Sequence, residues 1–188
     1  MKLVPQILIP FLIFFLIIRI TPLTYSAENT EVDSLLVQLS RAQEDTARVN
    51  ILIKLSKKTS WTDIKSSEQY AKTALELSKK VNYEKGLAYS KYRLASIFGD
   101  YEFDLSERLV LESFEHANSI NDSILIAMIF NILGNLKSSL QHNEDARYYY
   151  NKSLNIFLRH NKDSIAAAIY NNLGTLHTTM YEYSNSTH

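Results

Sequence analysis

The chain has 188 residues, 46% of them hydrophobic, with 20 Lys plus Arg against 20 Asp plus Glu. This balance argues against a broadly basic surface for nucleic acid or membrane, and the absence of cysteine excludes a disulfide framework, a thiolate zinc site and a cysteine nucleophile. There is no proline after Pro22, and the four glycines stand at 86, 99, 134 and 174, which suits helices joined by short turns and fits a β-sandwich poorly.

Residues 1–27 read as a leader. Lys2 supplies a positive start, Leu3 to Ile18 is apolar apart from Gln6 and two prolines, and Ser26 and Ala27 are small residues suited to cleavage. The apolar run of about 16 residues is shorter than the roughly 20 of a spanning helix, so a cleaved signal peptide is expected, with an uncleaved anchor as the alternative. The rest of the chain is then expected outside the cytoplasm, in the periplasm. Without Lys2 and Arg19 it is slightly acidic, which again argues against a nucleic-acid partner. In residues 28–44 a helix from about Glu31 to Arg41, with Leu35, Leu36 and Leu39 inward, is expected as an N-terminal capping helix.

From residue 45 onward the chain repeats. Leu55-Ser56, Leu94-Ala95, Leu133-Gly134 and Leu173-Gly174 stand 39, 39 and 40 residues apart, each a leucine followed by a small residue. The third copy carries Ile124, Met128, Ile129, Ile132, Leu133 and Leu136, and the fourth Ile165, Ile169, Tyr170, Leu173, Leu176 and Met180. Both have the stripe spacing of an amphipathic helix. A second helix follows in the first three copies, marked by small residues seven apart at Ser67 and Ala74, Ser106 and Ser113, Ala146 and Ser153. Small residues facing large ones let two antiparallel helices interlock.

A glycine inside a helix costs roughly 1 kcal/mol relative to alanine. Gly134 and Gly174, at one equivalent position, therefore imply a neighbouring helix that leaves no room for a side chain. Asp45, Asp122, Asp163 and Asn82 are N-cap candidates at helix starts. The copies fall at 45–81, 82–121, 122–162 and 163–188. The last is incomplete, with one helix and the bare beginning of a second.

These features resemble the tetratricopeptide repeat family over residues 46–188, most closely in Tyr170-Asn171-Asn172-Leu173-Gly174 and in Ala146 to Leu154. The resemblance implies an all-α fold, a right-handed superhelical solenoid of antiparallel helix pairs, with about three and a half repeats behind the capping helix. The period exceeds the family's usual 34 or so residues, which places the surplus in the connections between repeats. HEAT-type repeats, with a similar period, are the structural rival. Asp33-Ser34-Leu35-Leu36 and Asp45-Thr46-Ala47-Arg48-Val49 are similar to the extracytoplasmic sensor regions of certain bacterial histidine kinases and helix-turn-helix regulators. This implies a sensor portion of a truncated signal-transduction protein; a free periplasmic scaffold or chaperone for envelope assembly is the alternative. Membrane contact is expected only through an uncleaved leader or a missing C-terminal span, and self-association through the open last repeat.

No catalytic constellation is seen, so the chain reads as a non-catalytic binding protein with no cofactor and no metal site. Glu112 and His116, four apart, read as a surface polar pair, and His177 as a packed histidine. Trp61 is expected to pack locally. The resemblance places a peptide-binding groove on the first helix of each repeat. Its residues here are Asn50, Lys54, Lys57, Tyr89, Tyr92, Arg93, Ser96, Asn131, Asn135, Asn171, Asn172 and Thr175. Asparagine can donate to and accept from an extended backbone. Lys54, Lys57 and Arg93 would hold carboxylates of a protein or peptide partner.

Overall fold

The computed structural model describes residues 22–186, with side chains over 30–181. The expected leader lies outside the described residues as far as residue 21. The described residues form eight helices and no strand: α1 (Pro22–Arg41), α2 (Asp45–Thr59), α3 (Ile64–Lys80), α4 (Glu84–Phe98), α5 (Phe103–Ser119), α6 (Ser123–Ser139), α7 (Asn143–Arg159) and α8 (Asp163–Ser186). Two compact units divide at Arg41, with α1 in the first and α2–α8 in the second. In α1, Leu35 is buried, but Leu36 is exposed rather than inward. Among the described residues no helix is long and apolar enough to cross a membrane.

The second unit is a solenoid of helical repeats. Consecutive helices pack as the pairs α2–α3, α4–α5 and α6–α7, and each pair packs on the next, ending on α8. Apolar residues are buried between the helices of the stack. Leu94, Ile97, Val110, Leu125, Ile129 and Leu133 belong to one buried cluster, and Tyr150, Phe157, Ala166, Ile169 and Leu176 to the next.

At the heart of each pair the small residues meet as the periodicity implies, and their hydroxyls add a tie that smallness alone does not suggest. Ser67 Oγ donates to the Ser56 carbonyl at 2.7 Å, Ser106 Oγ to that of Ala95 at 2.8 Å, and Ser113 Oγ to that of Ala88 at 2.8 Å. Ser153 Oγ donates to the Ala127 carbonyl at 2.7 Å. A serine here is compact enough for close approach and leaves no buried hydroxyl without a partner. Gly134 serves the same contact by omission. A Cβ there would stand 2.5 Å from the ring of Tyr150, which is buried and donates its hydroxyl to Asn135 Oδ1 at 2.9 Å.

The turns explain where the helices stop. Asn82, Asn121, Gln141 and Asn161 take the left-handed conformation, with φ of 50°, 54°, 60° and 53°. In each case the next amide reaches back to close the helix: Tyr83 N to Ser78 O, Asp122 N to Ala117 O, His142 N to Lys137 O and Lys162 N to Phe157 O, all at 2.9 Å. This is the Schellman closure, and asparagine tolerates its left-handed residue better than most side chains. Asn82 therefore ends α3 and does not cap α4. Asp122 is a true N-cap, its Oδ1 accepting from Leu125 N at 2.9 Å, whereas Asp45 and Asp163 are the first residues inside their helices. Asp63, unremarked in the sequence, caps α3 through Ser66 N at 3.0 Å. The Ser66 hydroxyl and amide hold its carboxyl below the usual range.

Two expectations change. The surplus over the usual repeat length does not sit in the connections, which are only residues 81–83, 120–122 and 160–162; the helices themselves run to 15 or 17 residues. Nor does a second helix begin near the end of the last copy. α8 continues unbroken for 24 residues to Ser186. Leu176 to Tyr183 contains no glycine, proline, asparagine or aspartate to end it.

Gly134→Leu is expected to destabilise the protein by about 1–3 kcal/mol through overpacking against Tyr150. Chemical denaturation followed by circular dichroism measures this, and an unchanged midpoint would mean that the ring moves aside at no cost.

Candidate functional site

The first helices of successive pairs touch one another, α2 with α4, α4 with α6 and α6 with α8, while α3, α5 and α7 make no comparable contact among themselves. The side carrying α2, α4, α6 and α8 is therefore the inner one. All the residues expected in the groove lie on these four helices, but the structure sorts them into three environments.

Asn50, Lys54 and Lys57 of α2 are exposed. Asn50 Oδ1 accepts from the Tyr83 hydroxyl at 3.3 Å. Asn50, Ile53 and Lys54 join Lys85 and Tyr89 of α4 around a recess of about 400 Å³. Next to it Lys57, Trp61 and Ile64 face Arg93, Ser96 and Asp100 across a smaller recess of about 220 Å³. Among the described residues, Lys54, Lys57 and Lys85 are in no ion pair, while Lys72, Lys91 and Lys137 are matched by Glu68, Glu112 and Glu107. Trp61 does not pack locally: it is 94% exposed at the rim of the smaller recess.

Tyr89, Tyr92 and Arg93 are drawn into the structure. The Tyr89 hydroxyl donates to Asp122 Oδ2 at 2.9 Å, joining α4 to the cap of α6. Burial, and then Asp122, push its phenol well above the usual range, so it stays protonated. Tyr92 packs against the apolar core, and burial raises its phenol too. Arg93 is only 8% exposed. Its Nε donates to Ser56 Oγ at 3.3 Å and its Nη2 to the Ser56 carbonyl at 3.1 Å. Burial pulls its pKa down, with Tyr92 opposing. Arg93 thus ties α4 to α2 and is not the freely presented carboxylate ligand the sequence suggests.

The asparagines of α6 and α8 form a ladder. Asn172 Nδ2 donates to Asn131 Oδ1 at 3.1 Å and to Asn135 Oδ1 at 3.4 Å, and Asn135 Oδ1 also accepts from Tyr150. Asn171 and Thr175 are exposed, with the Thr175 hydroxyl donating to the Asn171 carbonyl at 3.1 Å.

Lys85 was missed because it lies one turn before the positions the resemblance marks. Also missed was a polar chain away from the groove. His116 Nδ1 lies 2.7 Å from Glu84 Oε2 and its Nε2 lies 3.0 Å from Lys91 Nζ, which in turn pairs with Glu112 at 3.0 Å. Glu112 and His116 are thus linked through a lysine of the neighbouring helix and not directly. His177 is exposed, not packed. Among the described residues no three His, Cys, Asp or Glu side chains gather as a metal site would require.

No family model and no curated protein matches this chain. Among solved structures it is similar to the crystal structure of BtubC (BKLC) from P. vanneervenii, with a TM-score of 0.63 and 21% identity, over 85% of this chain and 67% of that one. The likeness is one of fold: a helical repeat architecture.

Arg93→Ala is expected to lower stability by about 1.5–3 kcal/mol, the range for hydrogen bonds to a charged group. Lys54→Ala and Lys57→Ala should each stay within about 0.5 kcal/mol of the parent. Urea midpoints of the three variants separate the buried tie from the exposed charges.

Proposed function

We propose that this chain is a non-catalytic scaffold of the tetratricopeptide type, which holds an extended acidic segment of another protein along α2 and α4. The observation that carries this reading is the recess bounded by Asn50, Ile53, Lys54, Lys85 and Tyr89. Its cations have no carboxylate partner, and no acidic side chain lines it. Exposed ammonium groups on an inner face raise the local concentration of anionic partners and speed their encounter. Lysine holds a carboxylate as a point charge, without the fixed fork of arginine, which tolerates varied acidic sequences. Further along, the exposed amide of Asn171 supplies a donor and an acceptor for a peptide backbone. Ile53 and the flank of Tyr89 add apolar contact.

A fluorescein-labelled decapeptide of alternating glutamate and serine is a direct probe. Its binding, read by fluorescence anisotropy, should weaken with added salt. The triple variant Lys54→Glu/Lys57→Glu/Lys85→Glu should lose at least about tenfold in affinity, or 1.4 kcal/mol, with helicity unchanged. Equal binding by parent and variant, or stronger binding of an arginine–serine decapeptide, would remove the reading.

The leader-like residues 1–27 and the short motifs at Asp33–Leu36 and Asp45–Val49 support a place outside the cytoplasm, as a sensor region or a free envelope scaffold. Alkaline phosphatase fused after Lys80 should be active in a bacterial host and inactive when residues 1–27 are deleted. Activity independent of that segment would exclude export by it.

A further inference from the structure

In three of the four repeats, the same face of the first helix is covered by the helix that follows. On α2, Ser56 meets Ser67. On α4, Ala88 and Ala95 receive Ser113 and Ser106. On α6, Ala127 receives Ser153, Phe130 stacks on Tyr149 with ring centroids 6.1 Å apart, and Gly134 lies under the Tyr150 ring. The equivalent face of α8 is Ala167, Tyr170 and Gly174, and it continues at the same spacing through His177 and Tyr181. Every one of these residues is exposed, Tyr170 at 55% and Tyr181 at 64%, and a Cβ at Gly174 would meet nothing within 4 Å.

Two further properties say what fits there. α8 does not fold back where α2, α4 and α6 do, so no helix among the described residues covers its face. From Ser164 to Tyr181 it carries no Asp, Glu, Lys or Arg. A face without charge can meet its own copy with no like charges opposed and none desolvated. About Asn172 its small and large residues also stand in complementary places. In an antiparallel pairing centred there, Tyr170 falls opposite Gly174 and Ala167 opposite His177.

We propose that two copies of this chain associate through α8, antiparallel about a two-fold axis near Asn172, with Tyr170 of each seated over Gly174 of the other. The tyrosine-on-glycine contact is the one α7 already makes on α6 within the chain. Small against large at successive levels allows the close approach of interlocking helices, and antiparallel alignment sets the two helix dipoles in favourable opposition. The adjoining recess of about 550 Å³, where Arg147 and Asn151 of α7 stand beside Leu173, Leu176 and Met180, borders the same face. Centred on Asn172, the two helices overlap from 163 to 181, a strip about 28 Å long at 1.5 Å per residue, which makes a modest contact. It lies toward the small end of stable interfaces, which bury roughly 800 Å² per partner, so a concentration-dependent equilibrium between monomer and dimer is expected.

The test uses the full chain in a non-ionic detergent, so that the apolar segment Leu3 to Ile18 does not itself drive association. Multi-angle light scattering should show mass rising from monomer to dimer with concentration. Tyr170→Glu should hold the chain as a monomer with unchanged helicity. The absence of native cysteine provides a second readout that does not depend on that variant's folding. A mixture of Tyr170→Cys chains and Gly174→Cys chains, oxidised with copper phenanthroline, should give a disulfide-linked dimer of one chain of each kind. Each variant oxidised alone should give far less, because the pairing brings 170 against 174 and not against itself. A parent chain that stays monomeric at millimolar concentration overturns the proposal. So does a dimer in which the mixed pair cross-links no better than the single variants.

Discussion

Two antiparallel helices can approach closely only where facing side chains are small, and in this protein such contacts recur in each of the first three repeats and everything else is arranged around them. Ser56 against Ser67, Ala95 against Ser106 and Gly134 against the Tyr150 ring are three versions of the same joint. The serine hydroxyls donate across the joint to main-chain carbonyls, so the close approach leaves their polar atoms satisfied. With the pair spacing fixed in this way, the larger residues Leu94, Leu109, Leu133 and Phe157 fill the layers on either side. The Schellman turns at Asn82, Asn121 and Asn161 then return the chain at nearly the same point at the end of each of the first three copies.

The same joint governs which polar residues remain exposed. Ser56 lies at the contact between α2 and α3 and also receives both hydrogen bonds of Arg93 from α4. An arginine within reach of a main-chain carbonyl in the interior becomes part of the stack, and its charge is spent on holding helices together. Lys54, Lys57 and Lys85 stand exposed and are in no ion pair among the described residues. The inner face is consequently divided along its length, cationic at α2 and α4 and built of amides at α6 and α8.

Much of the architecture could be read from residue order. The recurrence of a leucine and a small residue at 55, 94, 133 and 173 located every first helix, and the seven-residue spacing of Ser67/Ala74, Ser106/Ser113 and Ala146/Ser153 located the second ones. Both are helical periodicities, and they register burial directly. Punctuation was harder to read. Asn82 suits a helix start or a left-handed helix end equally well by residue type, and only its φ of 50° decides between them. The exposure of Trp61 and the burial of Arg93 run against the usual preferences of those residues, so composition pointed the wrong way for both.

Residue order by itself determined that this is a stack of paired helices with a 39- to 40-residue repeat, because a period and a pattern of small residues are properties of the linear chain. It also nominated the inner-face residues of four helices. Only the tertiary structure decided which of them stand exposed and which serve the fold, because that depends on acceptors some 37 residues away, as Ser56 is from Arg93. It alone distinguished Gly134 from Gly174, which follow a leucine at the same position of the repeat: one is closed over by a tyrosine ring and the other stands open. The difference is made by a neighbouring helix, and a neighbour in space is not written at the position it covers.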